Sequence, residues 1–275
     1  LAPTIPLFDN NGEYGGPIGA GYSDRNNPVL MQFLNRWDNT ERTSIFGNVF
    51  AEIDLLKNLT FRTSVGLDFN DFRRKDIETT VNNGFVTRGN NRLIIDTNKF
   101  SSLVFTNTLN YNLELGDHRI GLLVGTESVK NDFDSVFSSA DGFAVESESY
   151  FVLGAATGAR TSNGTSSGSR LLSQFGKLNY AYGNKYLASV TVRRDGSSRF
   201  GPDNKYGVFP AFSVGWRVSE ESFLAGNNLI SNLKVRFSYG INGNTGDRRT
   251  LGRYPHIGLV EASGAILDGN VTSGF

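Results

Sequence analysis

From Arg42 onward the chain repeatedly sets apolar residues on alternate positions. Ile45, Val49, Ala51, Ile53 and Leu55 share one parity, while Asn48, Glu52 and Asp54 occupy the other. After Leu56-Lys57-Asn58, the residues Leu59, Phe61, Val65, Leu67 and Phe69 alternate with Thr60, Arg62, Ser64, Asp68 and Asn70. Side chains of an extended strand point to opposite faces with period two, so this pattern predicts strands with one apolar and one polar face. The same alternation recurs around Leu103–Leu113, Ile120–Val124, Leu178–Tyr182, Tyr186–Val192, Val208–Val218 and Leu233–Ile241. It predicts about eight strands, at 42–55, 59–70, 99–115, 119–130, 170–182, 185–195, 207–219 and 232–241. Several reach ten residues or more, beyond the ~5–6 usual in soluble sheets.

Between the strands the connections alternate in length. Short turns follow Leu55, Leu115 and Tyr182, where Gly183-Asn184 is a two-residue hairpin signal. Long segments follow Asn70, Lys130, Asp195 and Ile241, and 71–98 and 131–169 read as long polar loops. The link from Ser219 to Asn232 is long where a short turn is due. Residues 1–41 hold Pro, Gly, Asn and Asp without a sustained period, and so read as an irregular loop segment. The chain opens on Leu1-Ala2-Pro3-Thr4 and closes on Thr272-Ser273-Gly274-Phe275, as expected of an internal piece of a longer protein.

Composition narrows the chemistry. The 275 residues carry 27 Lys and Arg against 27 Asp and Glu, which leaves no electrostatic footprint for nucleic acid. There is no Cys, so disulfides and thiolate sites are excluded, and two histidines are too few for a multi-histidine metal cluster. Gly (32), Phe (21) and Tyr (10) are abundant and Met occurs once, a balance that suits strands and turns. No run approaches the ~20 apolar residues of a membrane helix. Barrel strands span a bilayer with ~10 alternating residues, however, and their hydropathy averages out.

Alternation alone fits a soluble half-buried sheet equally well. Three features favour a membrane barrel: small hydrogen-bonding residues on the polar parity, an uncharged centre on the apolar parity, and aromatics near the short turns. Tyr111, Tyr180, Tyr182, Tyr186 and Trp216 are expected at one interface level, as an aromatic girdle. Asn107 on the apolar parity and Pro210 inside a strand fit this scheme badly. Pro210 is expected to mark the strand's outer end or a bulge.

Motif matches add little chemistry. Gly164-Thr165-Ser166-Ser167-Gly168 satisfies G-x-S-x-G but sits in a Gly/Ser/Thr tract without the strand–turn–helix setting of a nucleophile elbow. The glycines from Gly16 to Gly21 precede no helix that would bind phosphate. His118 reads as a solvated turn residue, and Asp132 with Asp134 lacks a full calcium ligand set. The segment Arg193-Arg194-Asp195-Gly196-Ser197-Ser198-Arg199-Phe200-Gly201 packs charges of both signs at a strand end before a tight glycine-rich loop. It reads as an ion-paired strand exit, structural or facing a lumen.

Continued through Pro202 and Asp203-Asn204-Lys205-Tyr206-Gly207-Val208-Phe209-Pro210 to Arg217, that segment resembles the barrel of SusC/RagA-type TonB-dependent outer-membrane transporters. Pro3-Thr4-Ile5-Pro6, Leu172–Tyr180, Lys185-Tyr186-Leu187, Leu233–Gly240 and Asn242-Gly243-Asn244 resemble the same family in the same order. The resemblance implies an all-β, antiparallel up-and-down meander within a 22-stranded transmembrane barrel. Residues 1–41 would be an extracellular loop segment and 42–275 a partial barrel. It further implies uptake of oligosaccharides or peptides across the outer membrane, driven by the TonB complex and capped by a SusD-like surface lipoprotein. The remaining barrel strands, the plug domain and the TonB-contacting segment would be partners outside this sequence. No cofactor, metal or catalytic residue is implied. A surface adhesin or glycan-binding β-protein, binding through the same loops without transport, is the competing class. A hydrolase would need a nucleophile, base and orienting group on adjacent strands.

Overall fold

A computed structural model describes residues 6–16, 27–83, 86–224, 229–244, 263–267 and 270–274. The Pro-Thr loop at residues 3–5 and the glycine cluster from Pro17 to Gly21 lie outside the described residues. A helix, α1 (Pro28–Leu34), precedes the strands β1 (Asn39–Leu56), β2 (Leu59–Glu78), β3 (Val81–Asn83), β4 (Val86–Arg88), β5 (Arg92–Leu115) and β6 (His118–Asp141). Then come β7 (Arg160–Tyr182), β8 (Tyr186–Ser197), β9 (Tyr206–Arg217), β10 (Lys234–Gly240), β11 (Ser263–Leu267) and β12 (Asn270–Gly274). Eight strands form one sheet in the order β1-β2-β5-β6-β7-β8-β9-β10, so sequential neighbours pair throughout. The small ladders β3-β4 and β11-β12 are separate.

The segments read as loops at 71–98 and 131–169 are mostly strand, because β2, β5, β6 and β7 run well past the alternating stretches. The Gly/Ser/Thr tract from Thr161 to Gly168 lies inside β7, so its G-x-S-x-G match has the extended backbone of a strand and not an elbow. Within 1–41 the structure also forms α1, capped by the Asn27 side chain, which accepts from the Val29 N–H at 3.0 Å.

Pro210 is neither at a strand end nor in a bulge. The β8–β9 register runs without interruption from Tyr186↔Trp216 to Gly196↔Tyr206, with Pro210 opposite Val192. Its carbonyl accepts from the Ile241 N–H at 3.0 Å. In an antiparallel strand a residue's N and C=O face the same side, so the missing N–H of Pro210 also faces Ile241. Ile241 is the residue just past the end of β10. The proline therefore ends one ladder and leaves the other intact.

The described chain divides into two compact units. The first comprises residues 1–47, 67–102 and 131–168. Its core is a cluster of Ile77, Leu93, Ala140, Phe143, Phe151 and Ala156, against which Trp37, Ile95 and Leu153 pack. Phe151 is fully buried, with ring centroids 4.7 Å from Phe143 and 6.1 Å from Trp37. The buried Asn91 side chain exchanges hydrogen bonds with the backbone of Phe143, donating at 2.9 Å and accepting at 2.6 Å. It also donates to Glu146 Oε1 at 3.0 Å.

The second unit comprises residues 48–66, 103–130 and 169–275. Here the apolar face is uncovered: Val190 is 48% exposed, Phe212 45% and Phe237 59%. Among its described residues Val218 is the single buried hydrophobic. A soluble half-buried sheet would cover these positions with a second layer, and none of the described residues forms one. The apolar positions line up across strands: Leu178↔Val190, Val190↔Phe212 and Val214↔Phe237 are register partners. The opposite face carries Asn179↔Ser189, Lys177↔Thr191 and Ser189↔Ser213.

Candidate functional site: the polar face and its signature segment

β8 presents Arg193 and Asp195 to the polar face, because they share the parity of Ser189 and Thr191. The Arg193 guanidinium donates through Nε to Asp195 Oδ1 at 2.8 Å and through Nη2 to Glu127 Oε1 and Ser173 Oγ, both at 2.9 Å. Glu127 also accepts from the Thr106 hydroxyl at 3.4 Å. One side chain thus links β6, β7 and β8, with β5 joined through Thr106. Ser173 is fully buried, and the three Arg193 bonds are short and made by a charged donor. Sequence reading located Arg193 and Asp195 but missed Glu127, Ser173 and Thr106, which lie up to 87 residues away in the chain (Arg193 less Thr106).

Beside this network, Phe175 lies across the backbone of Gly125. A Cβ on Gly125 would fall 2.6 Å from the Phe175 ring and 2.8 Å from the Asn107 carbonyl oxygen. Arg193 sits 5.6 Å from the centroid of the same ring. Tyr206 covers Gly196 in the same manner, its ring lying against the position of the Cβ that Gly196 lacks. At Gly196 an aromatic ring thus packs directly on the backbone, and a side chain there would have to displace it.

The rest of the signature closes a tight loop. Ser198 N–H donates to the Arg170 carbonyl at 2.9 Å, and the Arg170 N–H donates to Ser198 Oγ at 2.9 Å, extending the β7–β8 pairing by a step. Arg199 N–H donates to Ser197 Oγ at 3.3 Å and Phe200 N–H to the Ser197 carbonyl at 3.3 Å. Gly201 precedes a single 3₁₀ turn, Pro202–Asn204. Arg194 does not join Arg193: it faces the apolar side and donates to Gln174 Oε1 at 3.2 Å.

Toward the short turns the polar face is concave, with a hollow of about 800 Å³. Asn112, Asn179, Ser189 and Ser213 line it beside Arg119 and Arg236. These groups donate and accept hydrogen bonds, and Arg119 lies 3.8 Å from the Glu114 carboxylate at the same hollow. His118 Nδ1 is 2.8 Å from the Tyr180 hydroxyl and is not oriented on a serine. Among the described residues no three His, Asp or Glu side chains gather as metal ligands.

Four of the five expected girdle aromatics meet. Tyr182 is the register partner of Tyr186, with centroids 6.3 Å apart and planes nearly parallel, and Tyr186 is the partner of Trp216. Tyr180 joins through His118, whose ring also lies 4.9 Å from Tyr182. Tyr111 stands on β5, outside this cluster.

Glu221, just past β9, ties the cluster together. Its carboxylate accepts from the Tyr186 hydroxyl at 2.7 Å, Trp216 Nε1 at 3.0 Å and Lys185 Nζ at 3.3 Å. The Tyr186 hydroxyl first, and then the Trp216 and Lys185 donors, hold the Glu221 carboxyl below its ordinary value of 4.5. A depressed carboxylate pKa contributes stability that is complete above the ordinary value and is lost as pH falls through the lowered one. Acidification below about pH 4.5 is thus expected to release Trp216 from Glu221, visible as a fluorescence change that Glu221→Gln shifts or abolishes. An identical acid titration in that variant would refute the assignment.

Comparison with known proteins places this geometry. The family described as "TonB dependent receptor-like, beta-barrel" matches residues 4–270. TonB-dependent receptor P26 of Formosa agariphila is 29% identical over 279 residues, covering 99% of this chain and 27% of the relative. TonB-dependent receptor SusC of Bacteroides thetaiotaomicron is 51% identical over 79 residues, which are 28% of this chain and 8% of SusC. The solved RagAB peptide transporter shares the fold with a TM-score of 0.77 at 24% identity, covering 96% of this chain and 29% of that one. The chain spans 27% of the length of the first relative it matches.

Proposed function

Since the chain belongs to the TonB-dependent receptor-like β-barrel family, we propose that it forms part of an outer-membrane active transporter for large nutrients. The uncovered apolar face meets lipid hydrocarbon, and the polar face lines the watery interior. The observation that carries this reading is the exposure of the register partners Val190 and Phe212, and of Phe237 opposite Val214, on one side of a sheet whose other side carries Asn, Ser, Thr and charged residues. Spanning strands with apolar-out, polar-in alternation need lipid outside and water or a plug inside.

In this reading β1 and β10 pair with the remaining barrel strands, because an open edge leaves unsatisfied backbone groups in hydrocarbon. A plug domain fills the lumen, the TonB complex supplies energy through a separate segment, and a SusD-like lipoprotein closes the outer mouth. Substrates are oligosaccharides or peptides, held by hydrogen bonds and aromatic stacking and not by covalent chemistry. The girdle of Tyr180, Tyr182, Tyr186 and Trp216 marks the inner interface, and 1–41 is extracellular.

The test uses the full-length gene in a deletion strain supplied with labelled oligosaccharides and peptides. Accumulation that stops when TonB is deleted or the proton gradient is collapsed, while surface binding persists, is the expected result. Binding without accumulation in energised cells would favour the adhesin reading instead.

A further inference from the structure

Arg193 and Arg194 are chain neighbours in opposite settings. Arg193 meets two carboxylates on the polar face. Arg194 is exposed on the apolar face and has no carboxylate partner among the described residues. It donates to Gln174 and lies 4.2 Å from the centroid of the Tyr206 ring. A cation at that position, at the end of the Tyr186, Ala188, Val190, Val192 series, has no counter-charge beside it among the described residues.

Beside it the apolar face is hollowed over about 540 Å³. Phe61, Leu109, Val124 and Val192 line the hollow, and so does Gly176, whose missing side chain helps to open it. Crowding does not impose that glycine, since a Cβ there would meet nothing nearer than 3.8 Å. Gly176 is opposite Val192, and two residues along β7 Gln174 is opposite Arg194. The register therefore leads from an apolar trough to a polar end. Asn107, the amide that the alternation leaves unexplained, lines the same hollow.

We propose that this trough is a lipid site: one acyl chain of an anionic lipid lies over Gly176, and its phosphoryl group is bound by Arg194. A planar guanidinium fork matches phosphate oxygens, and the Gln174 amide, opposite Arg194 in the register, adds a donor beside it. The site rests on the reading of the apolar face as the lipid-facing one.

The experiment reconstitutes the full-length protein into nanodiscs of phosphatidylcholine with a minority of phosphatidylglycerol, then measures retained lipid by native mass spectrometry after partial delipidation. The parent is expected to enrich phosphatidylglycerol. Arg194→Gln should lower that enrichment about tenfold, the ratio that follows from losing a hydrogen bond to a charged group. Gly176→Leu, which occupies the trough with Arg194 intact, should lower retention as well. A heat-modifiable gel shift verifies that both variants fold as barrels. Equal enrichment in parent and Arg194→Gln overturns the site, and so does displacement of the lipid by inorganic phosphate, which would mean that no acyl chain is held. A protein that copurifies with the parent and is lost in Arg194→Gln, with lipid ratios unchanged, overturns it in favour of a protein partner. Failure of the parent to insert into the discs would instead remove the barrel reading, and this site with it.

Discussion

The full-length protein carrying Arg193→Met is expected to lose about 2 kcal/mol of stability. Removing one partner of a buried ion pair commonly costs ~3–5 kcal/mol, because the remaining charge stays desolvated. Here the side chains of Arg193, Glu127 and Asp195 are 36%, 26% and 20% exposed, so solvent screens part of that penalty. Met matches the Arg stem in bulk, which separates loss of charge from loss of packing over Phe175. Arg193→Lys should recover only part of the loss, since an ammonium cannot hold Asp195, Glu127 and Ser173 with one planar fork. The double variant Glu127→Gln with Arg193→Met should be more stable than Arg193→Met alone, because one unpaired carboxylate has gone. Denaturant titration read by the gel shift of the folded barrel measures all three. An Arg193→Met protein as stable as the parent would mean that the network is a solvated surface cluster.

This network also explains why so polar a face carries a specified register. A one-residue slip reverses every side chain of a strand, and polar Ser, Thr and Asn positions alone discriminate weakly against it. Arg193 reaches acceptors on β6 and β7 from β8, and Gly125 admits Phe175 across the same strands. Both contacts are possible in one register only. The signature segment is thus a register lock as well as a strand exit.

The strands were legible wherever one side is apolar and the other polar. Leu178, Val190, Phe212 and Phe237 announce their face in the sequence, and the structure leaves all of them on one exposed side. Alternation fails where both faces of a strand are polar. Residues such as Asp96, Thr97 and Asn98, or Thr161, Ser162 and Asn163, look like loop composition, yet they lie in β5 and β7 because the ladder satisfies their backbone groups. Pro210 misleads for a related reason, since sequence alone does not tell which neighbour its absent N–H faces. The charged signature was visible through its density of Arg, Asp and Gly. Its partners were not, because Glu127 and Ser173 are single polar residues in ordinary alternating runs. The core of the first unit was hidden too: Ile77 stands alone between Asp76 and Glu78, while Leu93 and Phe151 lie in short apolar runs without alternation, and only the folded chain gathers them.

That core yields the second large effect. Phe151→Ala is expected to cost about 3–5 kcal/mol, the range for truncating a fully buried aromatic. Phe151 has no exposed surface and contacts Phe143 and Trp37, so truncation opens a cavity in a core of six buried side chains. Around it the chain is held by a few bonds from Asn91 and Gly142, including the Gly142 N–H to the Asn91 carbonyl at 3.1 Å and the Thr157 N–H to the Gly142 carbonyl at 2.9 Å. With the ring gone, those bonds should open together, as local cooperative units do. Amide exchange should accelerate across 142–157, while 186–217 in the β8–β9 ladder keeps the protection of the parent. Burial pushes the Glu146 carboxyl upward, but hydrogen bonds from Thr80 and Asn91 outweigh it and hold it below its ordinary range. Opening should therefore return Glu146 to ordinary titration, and the exchange difference between variant and parent should shrink as pH falls below the carboxylate range. Unchanged exchange over 142–157 in Phe151→Ala would show that the strands alone hold this unit and that its aromatic core is incidental.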